Sequence, residues 1–435
     1  MKSLWIAICC VFGCCLAASG ADARAAKEPG NAAIFAATAK QLDVGGLCYT
    51  YDNLRVSTKL PCGLLRLLSD KLVEMAPEEN QEAIRAALLE TAEKSGFDSC
   101  FASGSSLSED KGMYTAKHFL YAPAAFRGGV LWDCVAPVRD MKEFYRLVPQ
   151  SAVLAFGGTF RFAPACDFVR DMLKKHLKPE KWEEINKEVL DPAREEGVDL
   201  GAIFRSLEGG VLYVDCAPGK EEIAPGVTGA ALILQVSNDA LYRAIRAKLA
   251  EAAEGEQPGD TLDLGGMAVF QQENQLVFAT DAEAVKAQLA GKAASITAAP
   301  AFQQYSQGLA ARGTGFCYWS EKLGATLQKL ATMTEIVTAE EMRQLVVAAE
   351  LDKGFHGVTT VTQEGILAVA HSGCGHLLAT AMAPEGGAGA LLQLLSRSDD
   401  LVSALLSGFA DDDEEEEDAE GNGEADTQEA APAEE

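Results

Sequence analysis

The order strand, helix, helix, hairpin recurs three times along this sequence, and a recurrence on that scale constrains the fold more than any single motif does. In the first stretch a strand-like segment at 47–51 precedes an apolar helix at 62–75 and a second helix with Ile84, Leu88 and Ala92 at intervals of four. That helix ends at Gly96, Phe97 and Asp98, and strand-like segments at 114–121 and 130–135 close the stretch. The second stretch reads as a strand at 152–156, a helix with Phe168, Val169, Met172, Leu173 and Leu177 on one face, and a helix with Trp182, Ile185 and Val189 that Pro192 interrupts. Strands at 210–216 and 230–236 follow. The third has a strand at 315–319, a short helix at 323–330, a helix with Met342, Leu345, Val346 and Ala349, and a hairpin over 358–371.

Between the second and third stretches a helix starts near Asn238, carries Leu241, Ile245 and Leu249, and breaks at Gly255, Pro258 and Gly259. Strands at 266–271 and 275–279 flank Glu273 and Asn274 as a hairpin. The next helix opens at Thr280 with Glu283 three residues on, the spacing of a capping box. Helices grouped between runs of antiparallel strands predict an α+β fold. Its repeated strand-helix-helix-hairpin units form antiparallel sheets packed on helices, not a doubly wound parallel sheet.

Both ends of the chain read differently from its body. Lys2, an apolar run over 4–18 and the A-x-A spacing of Ala21 and Ala23 make a secretory signal peptide of residues 1–23, too short an apolar run to span a bilayer. Cleavage after Gly20 is the alternative exit. A lipoprotein with Cys14 or Cys15 carrying the lipid fits less well, because Phe12 is bulky and the apolar run continues past both cysteines. The mature chain then has no transmembrane segment and is exported, periplasmic or extracellular. At the other end, residues 411–435 hold 14 Asp and Glu and no Lys or Arg, about half of the net charge of -27. Such a segment repels itself and has little apolar surface to bury, which predicts a disordered acidic tail over 410–435. Its carboxylates suit weak binding of cations or basic partners, without the loop spacing of a built calcium site. Residues 24–410 still carry 36 Lys and Arg against 49 Asp and Glu, a surface that excludes nucleic acid as a partner. The expected organisation is a first α+β unit at 24–149, a second at 150–312 with the extra helix-hairpin-helix, and a third at 313–409 with C-terminal helices.

Eight cysteines follow the leader: Cys48, Cys62, Cys100, Cys134, Cys166, Cys216, Cys317 and Cys374. An even number in an exported chain permits four disulfides in any of about 105 pairings. No C-x-x-C pair is present, which argues against a thioredoxin-like centre or a zinc ribbon. G-x-G-x-x-G, Walker A and G-x-S-x-G are absent as well.

Five histidines offer one cluster, His371, Cys374 and His376, at the end of the last hairpin. Imidazole and thiolate are natural zinc ligands, and three of them plus water would make an open catalytic site. His356 on the partner strand joins it if a two-residue turn at Glu364-Gly365 pairs Val358 with His371. A three-residue turn at 363–365 puts His356 on the opposite face. Against a metal stand Gly373 and Gly375, which read as a turn, and Cys374, which has disulfide chemistry open to it. His118 reads as a surface residue, and His176 as a helix-end residue whose cation the helix dipole favours.

Residues of about 150–330 resemble a bacterial extracytoplasmic family of unknown function. The likeness rests on Val148-Pro149-Gln150, Gly197-Val198-Asp199-Leu200, Leu207-Glu208-Gly209-Gly210, Gln235-Val236-Ser237-Asn238-Asp239 and Phe278-Ala279-Thr280-Asp281. These are turns, caps and strand starts. The resemblance implies location and fold, and transfers no activity, cofactor or catalytic residue.

Three functional readings follow. The favoured one is an exported non-enzymatic binding or structural component with no cofactor. The second is a metal- or thiol-dependent enzyme built on His371, Cys374 and His376. The third is a carrier of lipid or another apolar ligand, since helices laid on curved antiparallel sheets can enclose an apolar cavity.

Overall fold

The computed structural model describes residues 28–54, 81–98 in part, 99–176, 178–185, 199–252, 259–331 and 350–373. Within them lie fourteen strands, twelve of which form one sheet in the order β1-β2-β3-β14-β13-β12-β5-β6-β7-β10-β9-β8, every pair antiparallel. These are β1 (Cys48–Asp52), β2 (Ala102–Asp110), β3 (Met113–Tyr121), β5 (Ala152–Thr159), β6 (Leu207–Asp215), β7 (Gly229–Val236), β8 (Thr261–Leu264), β9 (Met267–Gln272), β10 (Gln275–Ala279), β12 (Gly315–Trp319), β13 (Phe355–Val361) and β14 (Gly365–Ser372). The short strands β4 (Arg139–Asp140) and β11 (Arg312–Gly313) pair separately. A mixed fold with a large antiparallel sheet is therefore present, as the sequence predicts. The expected helix at 62–75, most of the one carrying Ile84, Leu88 and Ala92, and the one with Met342 and Leu345 lie outside the described residues.

Side chains alternate across a strand, so the sheet has two faces with different cover. One face holds Ala155, Val211, Tyr213, Ile233, Val277, Phe316, Tyr318 and Val358, all in the largest core cluster. Three helices close it: α3 (Lys142–Tyr145) through Phe144 and Tyr145, α8 (Ala282–Leu289) through Val285, and α9 (Pro300–Tyr305) through Phe302. Further along the same face α1 (Asn31–Lys40) drives Ile34 against Phe101 and Phe119. The serine-rich β2, ASGSSLSED, reads as a loop by composition and is missing from the sequence reading. Its small side chains are what let α1 approach: a β-carbon on Gly104 would lie 2.8 Å from Leu42 and 2.9 Å from Thr38.

On the opposite face α7 (Ala240–Ala252) packs Leu241, Ile245 and Leu249 over Leu262, Val269 and Leu276, which supplies the core face its stripe predicts. The stretch 130–135, expected as a strand, is instead α2 (Val130–Cys134). Five apolar residues fit either period, and here Gly129 with φ 105° turns the chain while its carbonyl accepts the Asp133 N–H at 2.8 Å. The Trp132 indole then donates to Ser99 Oγ at 2.7 Å. The first hairpin is thus β2-β3. Helix α4 (Ala163–His176) contacts α2 and α6 (Leu200–Ser206), and α5 (Pro179–Ile185) follows α4.

At the start of α8, Asp281 rather than the expected Thr280 is the N-cap and accepts the Ala284 N–H at 2.9 Å. Thr280 is held by the sheet instead, its hydroxyl accepting from Ala230 N–H at 3.0 Å. No helix among the described residues is long and apolar enough to cross a membrane.

Candidate functional site

The last hairpin decides what the histidines can do. Its register is neither of the two expected: Val361 faces Ile366, the turn is Gln363-Glu364, and Thr362 N–H donates to Gly365 O at 2.8 Å. The Thr362 hydroxyl fixes this turn by accepting from the N–H groups of Glu364 and Gly365. His356 consequently lies directly opposite His371, on the same face. That face is the core. His356 is 1% exposed, with the rings of Tyr145, Phe302, Phe316 and Tyr318 at centroid distances of 4.5 to 6.4 Å. Its Nε2 shares a hydrogen bond of 3.2 Å with the Tyr145 hydroxyl, and its Nδ1 has no partner. Burial, reinforced by His371, pushes its pKa down to about 3, so the ring is neutral.

His371 uses Nδ1–H to donate to the Tyr305 carbonyl at 3.1 Å. Cys374 and His376 lie outside the described residues. Among the described residues no group of three or more His, Cys, Asp and Glu side chains is placed to hold a metal. His176 ends α4 and meets Glu90 at 2.5 Å; Lys175, then Lys94 and His176, hold that carboxyl down at about 2. His118 bonds Ser105 Oγ at 2.8 Å across the β2-β3 pair. This contact was invisible without β2. The serine is only 4% exposed and no carboxylate among the described residues orients the imidazole, so the pair lacks the third member of a nucleophile-base-acid set. Cys48, Cys100, Cys134, Cys166, Cys216 and Cys317 are free thiols, and burial pushes Cys134 up to about 11, well away from a reactive thiolate.

The feature that stands apart is the centre of the face opposite His356. Three cross-strand rows on β13, β12, β5, β6 and β7 meet there. The middle row is Gly357, Cys317, Phe156, Leu212 and Leu232. Phe156 is 42% and Leu212 45% exposed, although both sit on central strands. On one side the row is bounded by Trp319 stacked on Phe355 at 4.0 Å, with Leu154 and Val214 beside them. On the other side Gly315, Gly158 and Gly210 are adjacent on three consecutive strands and put no side chain on the surface.

The result is an apolar trough whose glycine floor spans β12, β5 and β6, about 10 Å at the usual strand spacing, with Thr359 on β13 and Leu234 on β7 closing its two ends. None of its three rows contains an ionisable side chain other than Cys317, whose thiol burial pushes up to about 12. Sequence periodicity marks these positions as apolar, but only the pairing register brings the three glycines together. No protein-family profile, no curated protein and no solved structure matches this chain.

Proposed function

We propose that the protein is an exported, non-enzymatic binding protein that holds the aliphatic chain of a lipid or similar apolar ligand in the trough over β12, β5 and β6. The observation that carries this reading is the exposure of Phe156 and Leu212 beside the glycine row. A large apolar side chain left half open in mid-sheet forgoes about 1 kcal/mol of burial, which an apolar occupant restores. Recognition here is by shape and apolar area, because the trough offers no charge. An aliphatic chain meets that requirement better than a peptide, whose backbone would bring unpaired polar groups. The leader and the extracytoplasmic resemblance of residues 150–330 support export.

The trough also fits a repeated design. β1-β2-β3, β5-β6-β7 and β12-β13-β14 each have a first strand paired with a later hairpin in the same antiparallel order. We read them as three copies of one unit, two of which meet at β5 and β12, where the trough lies. The acidic tail is then a solvating segment with weak affinity for cations or basic partners.

The test is displacement of a fluorescent fatty acid from the full-length protein, compared with Phe156→Asp and Leu212→Asp. Saturable uptake that falls about tenfold or more in either variant supports the reading, as expected for a charge placed against an aliphatic chain. No uptake, or uptake indifferent to both substitutions, refutes it.

A further inference from the structure

On the core face, the end of β6 carries a charged side chain that the rest of the fold does not satisfy. Asp215 is 8% exposed and its Oδ1 has no hydrogen-bond partner. It lines a cavity of about 20 Å³, room for one water-sized body, together with Tyr213, Lys220, Thr228, Thr280 and Asp281. The two threonine hydroxyls beside it have already given their hydrogens elsewhere. Thr228 gives its hydroxyl hydrogen to the Asp215 carbonyl, and Thr280 gives its own to the Ala230 carbonyl. Each hydroxyl also accepts one backbone N–H, from Ala217 and Ala230 respectively, and keeps one free lone pair. Asp281 uses Oδ1 to cap α8 and Oδ2 to accept from Lys220 at 2.9 Å. The polar part of the lining is therefore two carboxylates, the two threonine hydroxyls, the Tyr213 phenol and a single ammonium on a half-exposed side chain, with Ala230, Ala284 and Val285 completing the wall.

We propose that this cavity is a single-ion site for a hard divalent cation of the calcium class, which binds between Asp215 and Asp281 and displaces Lys220. All the donors are oxygen, the set that such ions prefer. Among the described residues Lys220 and the N-terminus of α8 both serve Asp281, which leaves Asp215 as the buried carboxylate without a counterion. A divalent ion neutralises both carboxylates, whereas a water would bridge them and leave the charge unpaired. Lys220 lies in the turn between β6 and β7 and is free to swing out once its place is taken.

Terbium is the probe for this site, because the Tyr213 ring lines the cavity and can sensitise its emission. The full-length protein is titrated with terbium under tyrosine excitation, then with calcium as competitor, alongside Asp215→Asn and Lys220→Met. The expected result is saturable, calcium-displaceable emission that Asp215→Asn abolishes and Lys220→Met makes about tenfold tighter, since a competing positive charge is gone. Thermal melts of each variant control for folding, and Lys220→Met alters only a surface side chain. Emission unchanged by both substitutions would assign the ion to the acidic tail and overturn the site. Absence of saturable emission in both the parent and Lys220→Met would leave water as the occupant and overturn it equally.

Discussion

Replacing His356 by glutamine should flatten the acid side of the protein's stability curve. Folded His356 titrates near 3, because its cage of aromatic rings penalises the cation, whereas the unfolded residue titrates near the ordinary 6.5. The folded-state value is depressed, so below 6.5 the unfolded chain binds a proton that the folded chain refuses. Stability is complete above that pH and is lost as pH falls, by about 1.4 kcal/mol per unit. Between pH 7.5 and pH 5 the loss from this residue sums to about 2 kcal/mol. The figure depends only on the folded ring staying neutral at pH 5, not on how far its pKa falls.

His356→Gln removes the titration and keeps an amide to meet the Tyr145 hydroxyl. Urea unfolding of parent and variant at the two pH values checks this. His118 and His371, whose pKa values burial also lowers, are common to both proteins and cancel in the comparison. Parallel losses in parent and variant would mean that His356 is protonated in the folded state, and the reading of it as a neutral core residue would be wrong.

Gly209→Ala should cost more than about 2 kcal/mol in a thermal or urea melt, because φ is 136° there and a β-carbon would lie 2.2 Å from the Gly158 carbonyl oxygen. Asp199→Ala removes the cap that accepts the Ala202 N–H at 2.9 Å at the start of α6, and should cost about 1 kcal/mol in the same assay. Elemental analysis of protein made without an affinity tag should find no stoichiometric zinc. One zinc per chain, lost on His371→Ala with His376→Ala, would show that His371 gives up its bond to Tyr305 and would favour the enzyme reading.

Where an apolar run is bounded by turn residues, the sequence and the sheet agree closely: β10 at 275–279 and β12 at 315–319 have the expected limits. Two strands that escaped sequence reading, β2 and β8, share a cause. β2 is rich in Ser with Leu107 as its one large apolar residue, and β8 is four residues long, so neither carries a hydrophobic period. Their strand character comes from pairing with β3 and β9, a tertiary effect that local propensity does not encode. The histidines show the same limit. Placing His356 and His371 on one face was within reach of pattern reasoning, but whether that face is core or surface depends on α3 and α9 closing over it. The trough needs register on five strands at once, and the Asp215 cavity needs two elements some sixty-six residues apart in sequence to converge.

The claim that an apolar ligand lies on one particular face is tested most directly by methyl NMR of the full-length protein with labelled Leu and Ile, titrated with a long-chain fatty acid. The account predicts that the methyl signals of Leu212 and Leu232 in the trough shift saturably. Those of Ile233, on the next residue but the opposite face, and of Ile34 beneath α1 should hold still. Shifts at Ile233 and Ile34 with Leu212 unmoved would place the ligand in the core face and contradict the account, as would a titration in which none of these signals responds.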